Sequence, residues 1–600
     1  MGSFWSATRD RLRLTTTTGG LIFVVSLLIF WLSPVTQVTD SNYSMLLSQD
    51  LLEHRSFLLD HYDIPRLPPE YHDNTYQNGH IHEIELVGDH LYYYFPPGTS
   101  ILSAPFVAIL NRFGLSASNP DGTYNLEGEI RIQALLAGLL MAIFTTLVFY
   151  TACLELPLVV SVVVAIGTAL GTQVWSTASR GMWNETWGIL LLAIVLYLLF
   201  RLEAIGRRFN PIVVATLLAW SYFVRPTNAV PIVAITVYLF FYHRDLLIRY
   251  LLTGAIWLAL FMVYSWYHFH QLLPNYFLVN RLGFRDFWVA LPGNVVSPSR
   301  GLLIFVPILF FLGYLLVRYW SQITHKRLVW LSLIIIVVHL VAVSGFKPWN
   351  GGACYGPRYS TSLIPWFALL GIIGIRARLK SPPEKRSMLA SRAELAAGSL
   401  LLVLSIFMNA RGAVSQKTWA WNVWPTSVDK VAGKIWDWRQ PQFLAGLVRP
   451  PLPDNFPLLE DRIDFANPDS DKYMWYGWSW SEPEIRWSDG KEATVIFALN
   501  EIQDSILQIK MGPFLAREKV DEQAVGVNLN GRPLQTLVLR DDESRVYEVA
   551  VSKEVLKRKN ILMLDLPNAV SPKSLKVSGD LRQLAVRVAW IQLQKRAPQR

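Results

Sequence analysis

The sequence predicts an α-helical polytopic membrane domain followed by an all-β domain. Charged residues make up 17% of the 600-residue chain, below the about 25% that is typical of soluble proteins. Apolar runs recur between residues 18 and 411, and many are long enough to cross a bilayer. After residue 471 the pattern changes to short runs rich in β-branched residues, separated by turn residues. These features together predict the two fold types.

The apolar runs predict about 11 transmembrane helices, because a helical span needs about 20 mostly apolar residues. The runs cover 18–38, 131–153, 156–175, 184–203, 210–225, 228–243, 249–268, 301–320, 328–345, 360–376 and 395–411. A further run at 99–113 is shorter and contains Pro105. For that run we expect a helix that lies on the membrane or re-enters it.

The domain boundaries follow from these changes in pattern. We predict a membrane domain over 1–411, whose first large loop spans 39–130, and a linker rich in Trp and Pro over 412–470. Residues 471–600 contain about seven or eight predicted strands, and the Asn-Gly pair at 530–531 is a strong turn signal. Short strands at this spacing predict a β-sandwich.

Basic residues set the predicted orientation of the chain. Arg9, Arg11 and Arg13 precede the first apolar run, and cytoplasmic loops of membrane proteins are enriched in Lys and Arg. The N-terminus is therefore predicted to be cytoplasmic, with 39–130 and 412–600 extracytoplasmic. The net charge of +10 is concentrated in short loops between spans, which argues against nucleic acid as a partner.

Asp40 follows directly on the first predicted span. Its side chain, or that of Thr39, can cap a helix that starts near Ser41. A carboxylate at the membrane surface can also act as a general base close to a lipid head group. Both roles are open from the sequence.

Four arginines in the predicted extracytoplasmic loops can form cationic sites at the ends of spans. Arg300 and Arg358 each lie in a Gly- and Pro-rich loop just before an apolar run, and Arg180 and Arg225 are further candidates. The N-terminus of a helix adds partial positive charge and free N–H groups to such a site. Basic residues at the ends of spans also serve as interfacial anchors, which is the alternative role.

Several segments of the membrane domain resemble a known enzyme family. They are Asp40 with the amphipathic segment after it, HLYYYFPPGTSILSAPF (90–106), RPTNAV (225–230), SPSRGLLIFVP (297–307) and WNGGACYGPRYSTSLIPW (349–366). In order and loop placement they resemble the GT-C glycosyltransferases, which include protein O-mannosyltransferases, aminoarabinose transferases and RgtA-like enzymes. The resemblance covers roughly 1–410. Where better-known members often have Asp-Glu, this chain has Asp40-Ser41.

The resemblance implies an integral membrane glycosyltransferase that works in the lipid bilayer. It would transfer a sugar from a polyprenyl-phosphate donor to a glycan, lipid or protein acceptor on the extracytoplasmic face. Asp40 would be the catalytic base, with Asp50 or Glu53 of the first loop as alternatives, and the four arginines would bind the donor phosphate. Two alternatives are a transporter or flippase of lipid-linked sugars and a non-catalytic assembly or sensor protein with a glycan-binding domain. Ionisable residues are nearly absent from span centres, which disfavours the transporter.

Aromatic and histidine side chains give the candidate substrate contacts. Tyr93, Tyr94, His268 and Trp349 lie at predicted extracytoplasmic edges, where sugar rings can stack on aromatic faces. An aromatic belt at the membrane interface would give the same pattern. The β-domain resembles jelly-roll carbohydrate-binding modules, and its Trp-rich run at 475–490 could line a glycan site or pack in the core.

A divalent metal is the one cofactor that the sequence suggests. His80 and His82 would lie on the same face of a strand, and imidazoles are common metal ligands. No fourth ligand is fixed by the spacing, and a hydrated loop would contain the same polar residues.

Overall fold

The computed structural model describes residues 2–64, 82–279, 282–381, 388–423, 427–429, 431–516, 518–578, 580 and 582–596. Contacts within the chain divide it into two compact units, Met1–Trp419 and Ala420–Arg600. The first unit is mainly helical, and the second consists mainly of antiparallel strands.

The helices of the first unit, with one short helix at the unit boundary, follow one another along the chain. They are α1 (Gly2–Leu32), α2 (Ser44–Glu53), α3 (Gly98–Arg112), α4 (Leu126–Cys153), α5 (Leu158–Leu170), α6 (Asn184–Ile205), α7 (Pro211–Val224), α8 (Ala229–Tyr242), α9 (Arg244–Phe269), α10 (Phe287–Val296), α11 (Leu302–Phe305), α12 (Ile308–Arg318), α13 (Lys326–Ser344), α14 (Ile364–Lys380), α15 (Met388–Val414) and α16 (Gln416–Ala420). A hairpin of β1 (Ile84–Val87) and β2 (His90–Tyr93) lies between α2 and α3.

Seven helices in the described part of the chain are long and apolar enough to cross a membrane. They are Arg13–Leu32, Leu126–Cys153, Asn184–Ile205, Arg244–Phe269, Lys326–Ser344, Arg358–Lys380 and Met388–Val414. Four other predicted spans correspond to shorter apolar helices, α5, α7, α8 and α12. The predicted count of 11 spans therefore stays a prediction, while the multi-pass helical architecture is present.

The helices differ in how much apolar surface they bury. In the apolar windows of α4 and α6, 67% and 56% of residues are buried, against 17% in both α9 and α15. Leu252, Ile256 and Val263 on α9 are each more than 60% exposed. Exposed apolar surface on this scale is expected where lipid is the solvent. The helices α4 and α6 are thus largely buried within the first unit, and α9 and α15 have exposed apolar faces.

Local signals explain several helix ends in the first unit. The Asn125 side chain caps α4 by accepting a hydrogen bond from the Gly128 N–H at 2.9 Å. Asn210 caps α7 in the same way at Ile212. The helix α6 ends at Gly206, whose φ of 67° is the left-handed conformation common after a helix C-terminus.

The second unit is a two-sheet structure. Its strands are β3 (Arg462–Asp464), β4 (Met474–Tyr476), β5 (Trp478–Glu482), β6 (Ile485–Ser488), β7 (Glu492–Ala498), β8 (Ser505–Pro513), β9 (Gln523–Leu529), β10 (Arg532–Leu539), β11 (Arg545–Val551), β12 (Lys559–Asp565) and β13 (Val586–Lys595). One sheet has the order β10-β9-β12-β7-β4, and the other has the order β11-β8-β13-β6-β5 with β3 paired to β13. All of these pairs are antiparallel.

Both sheets contribute to one apolar core, as in a β-sandwich. Val527 of β9 and Ile509 of β8 belong to the same buried cluster. Asn530 and Gly531 have φ values of 53° and 80°, and they join β9 to β10 at the predicted turn. Trp478 is buried, and its indole N–H donates to the Thr494 carbonyl at 2.9 Å. This tryptophan of the 475–490 run is therefore part of the core.

The sheets include residues that precede the predicted start of the β-domain at 471. Strand β3 pairs with β13, and Ile463 and Phe465 are completely buried in the core. The N–H of Leu459 also donates to the Ala498 carbonyl at 2.9 Å. Part of the segment predicted as a linker is thus built into the sandwich.

Candidate functional site

Four charged residues meet where the ends of four helical segments come together in the first unit. Asp40 follows α1, Glu185 is in the first turn of α6, Arg225 caps the C-terminus of α7, and Arg358 begins the helical turn before α14. Helix ends leave backbone groups unpaired and allow the chain to turn. Residues that are distant in sequence can therefore converge at this position.

The four residues form a chain of alternating carboxylates and guanidinium groups. Arg358 Nη2 lies 2.5 Å from Asp40 Oδ2, and Arg358 Nε donates to Glu185 Oε1 at 3.3 Å. Arg225 forms an ion pair with the same oxygen of Glu185. Two negative and two positive groups balance one another, as buried charges must. We refer to Asp40, Arg358, Glu185 and Arg225 as the charge chain.

The charge chain has a buried end and a more open end. The side chain of Glu185 has no exposed surface, and those of Arg225 and Arg358 are 7% and 5% exposed. The side chain of Asp40 is 27% exposed. An incoming molecule can therefore reach Asp40 most easily, with the guanidinium of Arg358 directly behind it.

Aromatic rings hold the two guanidinium groups. The Arg358 Cζ lies 3.9 Å from the ring centroid of Trp183, which is completely buried. Both Arg225 and Arg358 lie 5.7 Å from the ring of Tyr359. Cation–π contacts of this kind favour a guanidinium in a poorly solvated place. They also restrict its orientation, which prepares it for a charged partner.

The loop before Arg358 depends on glycine. Gly351, Gly352 and Gly356 have φ values of 77°, 64° and 59°, a region that other L-residues rarely occupy. The Arg358 Nη1 group also donates to the Gly351 carbonyl at 3.4 Å. The Gly-rich motif that the sequence displays is therefore the turn that directs Arg358 toward the charge chain.

Arg300 and Arg180 bind backbone carbonyl groups. Arg300 is 1% exposed, and it donates to the carbonyls of Asn350 and Gly352 at 2.9 and 3.0 Å. Arg180 is 3% exposed and donates to the Ser33 carbonyl, just after α1, at 2.9 Å. Their contacts thus hold the Gly-rich loop and the end of α1. Of the four predicted phosphate ligands, only Arg225 and Arg358 belong to the charge chain.

The surroundings of Asp40 keep its carboxylate ionised. Burial by itself would raise the pKa of Asp40, but the charge of Arg358 and the nearby His82 outweigh it and hold the pKa well below its usual range. The Tyr93 hydroxyl donates to the backbone carbonyl of Asp40 at 2.6 Å. Tyr93, predicted as a substrate contact, therefore fixes the position of the Asp40 backbone.

The start of α2, directly after Asp40, is capped from another helix. Glu129, completely buried in the first turn of α4, accepts hydrogen bonds from the N–H groups of Met45 and Leu46 at 2.9 and 3.0 Å. The expectation that Thr39 or Asp40 would cap α2 is wrong. The Asp40 side chain is thereby free of a capping role and takes part in the charge chain instead.

The other predicted substrate contacts lie in neighbouring packed regions. Tyr94 is half-buried beside the hairpin, and His268 Nδ1 lies 3.3 Å from the Tyr92 hydroxyl near the end of α9. Trp349 is 7% exposed and packs so closely on α10 that a Cβ atom at Gly293 would lie 2.4 Å from its ring. These contacts are structural, and a substrate role for the three residues stays a prediction.

Only one of the two predicted metal-binding histidines lies in the described part of the chain. His80 is outside the described residues. His82 Nε2 lies 3.9 Å from Asp40 Oδ1, and its Nδ1 lies 3.3 Å from Glu83 Oε2. Burial raises the pKa of Glu83. The predicted metal site at His80 and His82 is therefore not tested by the structure.

Sequence reasoning missed Glu185 and Glu129, the two completely buried carboxylates of this region. Each lies in the first turn of an apolar helix, where an acidic residue commonly interacts with the helix dipole. Because this pattern is common, it does not indicate that either carboxylate has a partner far away in the sequence. Their position at the edge of a strongly apolar span is the one signal that could have found them, because such carboxylates need a partner.

Comparisons with known proteins give distant structural similarity. No protein-family model matches the sequence, and no curated protein matches it. Among solved structures, the chain is similar to arabinosyltransferase EmbB from Mycobacterium smegmatis, with 12% identity, a TM-score of 0.33, and coverage of 98% of this chain and 65% of that one. It is also similar to BtGH115A, a family GH115 4-O-methyl-α-glucuronidase with specificity for decorated arabinogalactans, with 11% identity, a TM-score of 0.16, and coverage of 38% and 32%. This chain thus spans less than two thirds of either structure, and likeness at this level carries no functional argument.

Proposed function

We propose that this protein is a membrane glycosyltransferase that uses a polyprenyl-phosphate sugar donor and modifies an acceptor hydroxyl on the extracytoplasmic face. The observation that carries the proposal is the Asp40–Arg358 pair, in which a partly exposed carboxylate contacts a buried guanidinium where several helix ends meet. A base for the acceptor and a cation for the phosphate are the two groups that such a transfer requires. The motifs that resemble GT-C enzymes support the same assignment.

In the proposed reaction, Asp40 accepts the proton of the acceptor hydroxyl. The hydroxyl oxygen forms a bond to the anomeric carbon of the sugar, and the bond between that carbon and the phosphate oxygen breaks. The lipid phosphate leaves with the electron pair and gains negative charge. Arg358 lies next to the base and can stabilise this charge, since guanidinium groups bind phosphate oxygens through paired N–H donors.

The balanced charges of the charge chain suggest how binding and catalysis are linked. Asp40 already accepts a hydrogen bond from an N–H group of Arg358. The phosphate of an incoming sugar donor would therefore compete with the Asp40 carboxylate for Arg358. Weaker pairing to Arg358 raises the pKa of Asp40 from its depressed value, and a more basic carboxylate is a better proton acceptor. Donor binding would thus activate the base in the proposed mechanism.

An apolar cavity offers space for the lipid part of a donor. It has a volume of about 330 Å³ and lies among α5, α12, α14 and α15. Its lining includes Val163, Leu312, Phe367 and Leu402, and it reaches Ile364 in the first turn of α14. This turn follows the helical segment that begins at Arg358. An isoprenoid chain in the cavity would therefore have its phosphate end near the charge chain in the proposed arrangement.

The proposal is tested with the purified full-length protein in lipid nanodiscs. The assay supplies a panel of polyprenyl-phosphate pentoses and hexoses with glycan, lipid and peptide acceptors, and it measures the transferred sugar by mass spectrometry. Asp40→Asn should lower the transfer rate by about 10²–10⁴, the usual range for general-base catalysis. The matched control is Asp89→Asn, which changes an exposed carboxylate in the hairpin turn and should leave the rate unchanged.

Two outcomes would contradict the proposal. Near-full activity of Asp40→Asn would overturn the assignment of the base. If the wild-type protein transfers sugar from none of the lipid-linked donors but binds or moves them across the bilayer, the transporter alternative is supported instead.

A further inference from the structure

A second cluster of functional groups lies at the end of α2. The cluster consists of Asp50, His54 and His61. Each residue offers one ligand atom, and the three atoms lie within 4.8 Å of one another. Asp50 Oδ1 lies 2.8 Å from His54 Nδ1 and 2.9 Å from His61 Nδ1. Two imidazole nitrogens thus converge on one carboxylate oxygen.

The carboxylate at the centre of this cluster is incompletely satisfied. The side chain of Asp50 has no exposed surface. Within the described residues its second oxygen, Oδ2, is buried and has no hydrogen-bond partner. A buried carboxylate oxygen without a partner is costly in free energy. A bound cation at the cluster would compensate the charge of this group.

The two histidines are arranged as a pair of ligands. Their rings stack with centroids 4.0 Å apart and an interplanar angle of 8°. Two imidazolium ions at this distance would repel each other, whereas two neutral imidazoles can each direct a lone pair at one metal ion. The side chains are 39% and 37% exposed, so an ion can reach the site from solvent.

We infer that Asp50, His54 and His61 bind one divalent transition-metal ion of the Zn²⁺ class. Two imidazole nitrogens and one carboxylate oxygen are a ligand set that such ions prefer, with a fourth position left for water. At metal–ligand distances of about 2.0–2.2 Å, the donor atoms of a tetrahedral ion lie roughly 3.3–3.5 Å apart. Asp50 Oδ1 lies 2.8 Å from His54 Nδ1 and 2.9 Å from His61 Nδ1. Small rotations of these side chains would bring the atoms to the distances that a tetrahedral ion requires. His82 is not part of this site, since it lies beside Asp40 and Glu83.

The position of the ion indicates what it would stabilise. His54 is the C-terminal cap of α2, and His61 lies in the segment that follows. That segment is bridged to the hairpin between Leu58 and Tyr92. A metal ion would therefore fasten the end of α2 to the loop beside the hairpin. This role does not depend on the proposed enzymatic function.

Metal content of the full-length protein tests the inference. The detergent-purified protein is saturated with Zn²⁺, passed through a desalting column and analysed by inductively coupled plasma mass spectrometry. The wild type should retain one equivalent, and His54→Ala and His61→Ala should bind at least ~100-fold more weakly, because loss of a ligand exceeds the 10–100-fold cost of second-sphere changes. His90→Ala is the matched control, since His90 contacts a single carboxylate, Asp60, at 2.7 Å. It should retain the ion.

A ligand exchange separates loss of the site from loss of the fold. His61→Cys keeps a metal ligand, so its Co²⁺ form should show a thiolate-to-cobalt charge-transfer band that Co²⁺-treated wild type lacks. Because an unfolded chain can also bind metal through Cys and His, the band is measured at one equivalent of Co²⁺ on protein that is monodisperse by size exclusion. The inference is overturned if the His54→Ala, His61→Ala double variant retains as much Zn²⁺ as the wild type, or if His61→Cys, monodisperse by size exclusion, gives no charge-transfer band.

Discussion

Asp40 Oδ2 and Arg358 Nη2 lie 2.5 Å apart, although the two residues are separated by 318 positions in the sequence. The contact joins the first large loop to the segment that leads into α14. It holds a partly exposed carboxylate in its ionised form against a buried cation.

The pH dependence of transfer should report the influence of Arg358 on Asp40. In the wild type without bound donor the pKa of Asp40 is held well below its usual range, so kcat/KM, which reports the free enzyme, should not fall on mild acidification. In Arg358→Gln, burial raises the pKa of Asp40 without its main opposing cation, and kcat/KM should be lost at a higher pH as acid is added. The maximal rate should also fall by about 10²–10³.

Arg358→Lys is the matched variant for this pH measurement. Lysine keeps the positive charge but lacks the planar fork of arginine. In Arg358→Lys the pH at which activity is lost on acidification should stay low. The maximal rate should be higher than in Arg358→Gln but below that of the wild type. An identical acid limb in the wild type and Arg358→Gln would contradict the electrostatic link between Arg358 and Asp40.

Glu185→Gln should destabilise the membrane domain strongly. The change leaves Arg225 and Arg358 with one buried carboxylate fewer, and removal of one partner from a buried ion pair typically costs about 3–5 kcal/mol. We expect a lower thermal midpoint for the protein in detergent, measured by intrinsic fluorescence. Glu127→Gln alters a 76% exposed carboxylate in the first turn of α4 and should have little effect. Equal midpoints for the two variants would show that the charge chain does not stabilise the fold.

The second unit should reach its full stability as an isolated fragment only when β3 is included. We expect residues 455–600 to give a β-type circular dichroism spectrum and one cooperative denaturant transition. The fragment 471–600 lacks Ile463 and Phe465, which are completely buried in the sandwich, and loss of such side chains typically costs about 2–5 kcal/mol each. Its midpoint should therefore be much lower. Equal stability of the two fragments would show that β3 is dispensable.

Labelling of introduced cysteines should place the first loop and the segment before α15 on opposite sides of the membrane. In a background with Cys153 and Cys354 changed to alanine, Asp89→Cys should react with a membrane-impermeant maleimide in intact cells. Met388→Cys should react only after the membrane is opened, because basic residues on both sides of the preceding loop indicate a cytoplasmic position. Labelling of both sites in intact cells would refute the predicted orientation.

The sequence predicted part of the candidate site because charged residues at the ends of apolar runs are conspicuous. Asp40 and Arg358 were found in this way, and they are in contact. Arg180 and Arg300 show the same pattern, but they donate mainly to backbone carbonyls, and such contacts cannot be recognised in a sequence. Glu185 resembled an ordinary acidic residue of a first helical turn, although it lies between two guanidinium groups.

The fold was predictable where its pattern extends over many residues. The long apolar helices and the alternating strands, such as β8 and β9 with every second residue buried, could be recognised directly. Strand β3 has three residues, too few to display an alternating pattern. The capping of α2 by Glu129 depends on a residue 84 positions after Met45, and local propensities contain no information about such a partner.

The separation of Asp40 from Arg358 also determines when this region can mature during biosynthesis. The ribosome produces Asp40 and the start of α2 long before the capping carboxylate on α4, and Arg358 is made later still. Until α14 enters the membrane, a nascent chain therefore exposes Asp40 without the cation that fixes it. Incomplete chains would lack the paired site altogether, so only a polypeptide translated past Arg358 can acquire it.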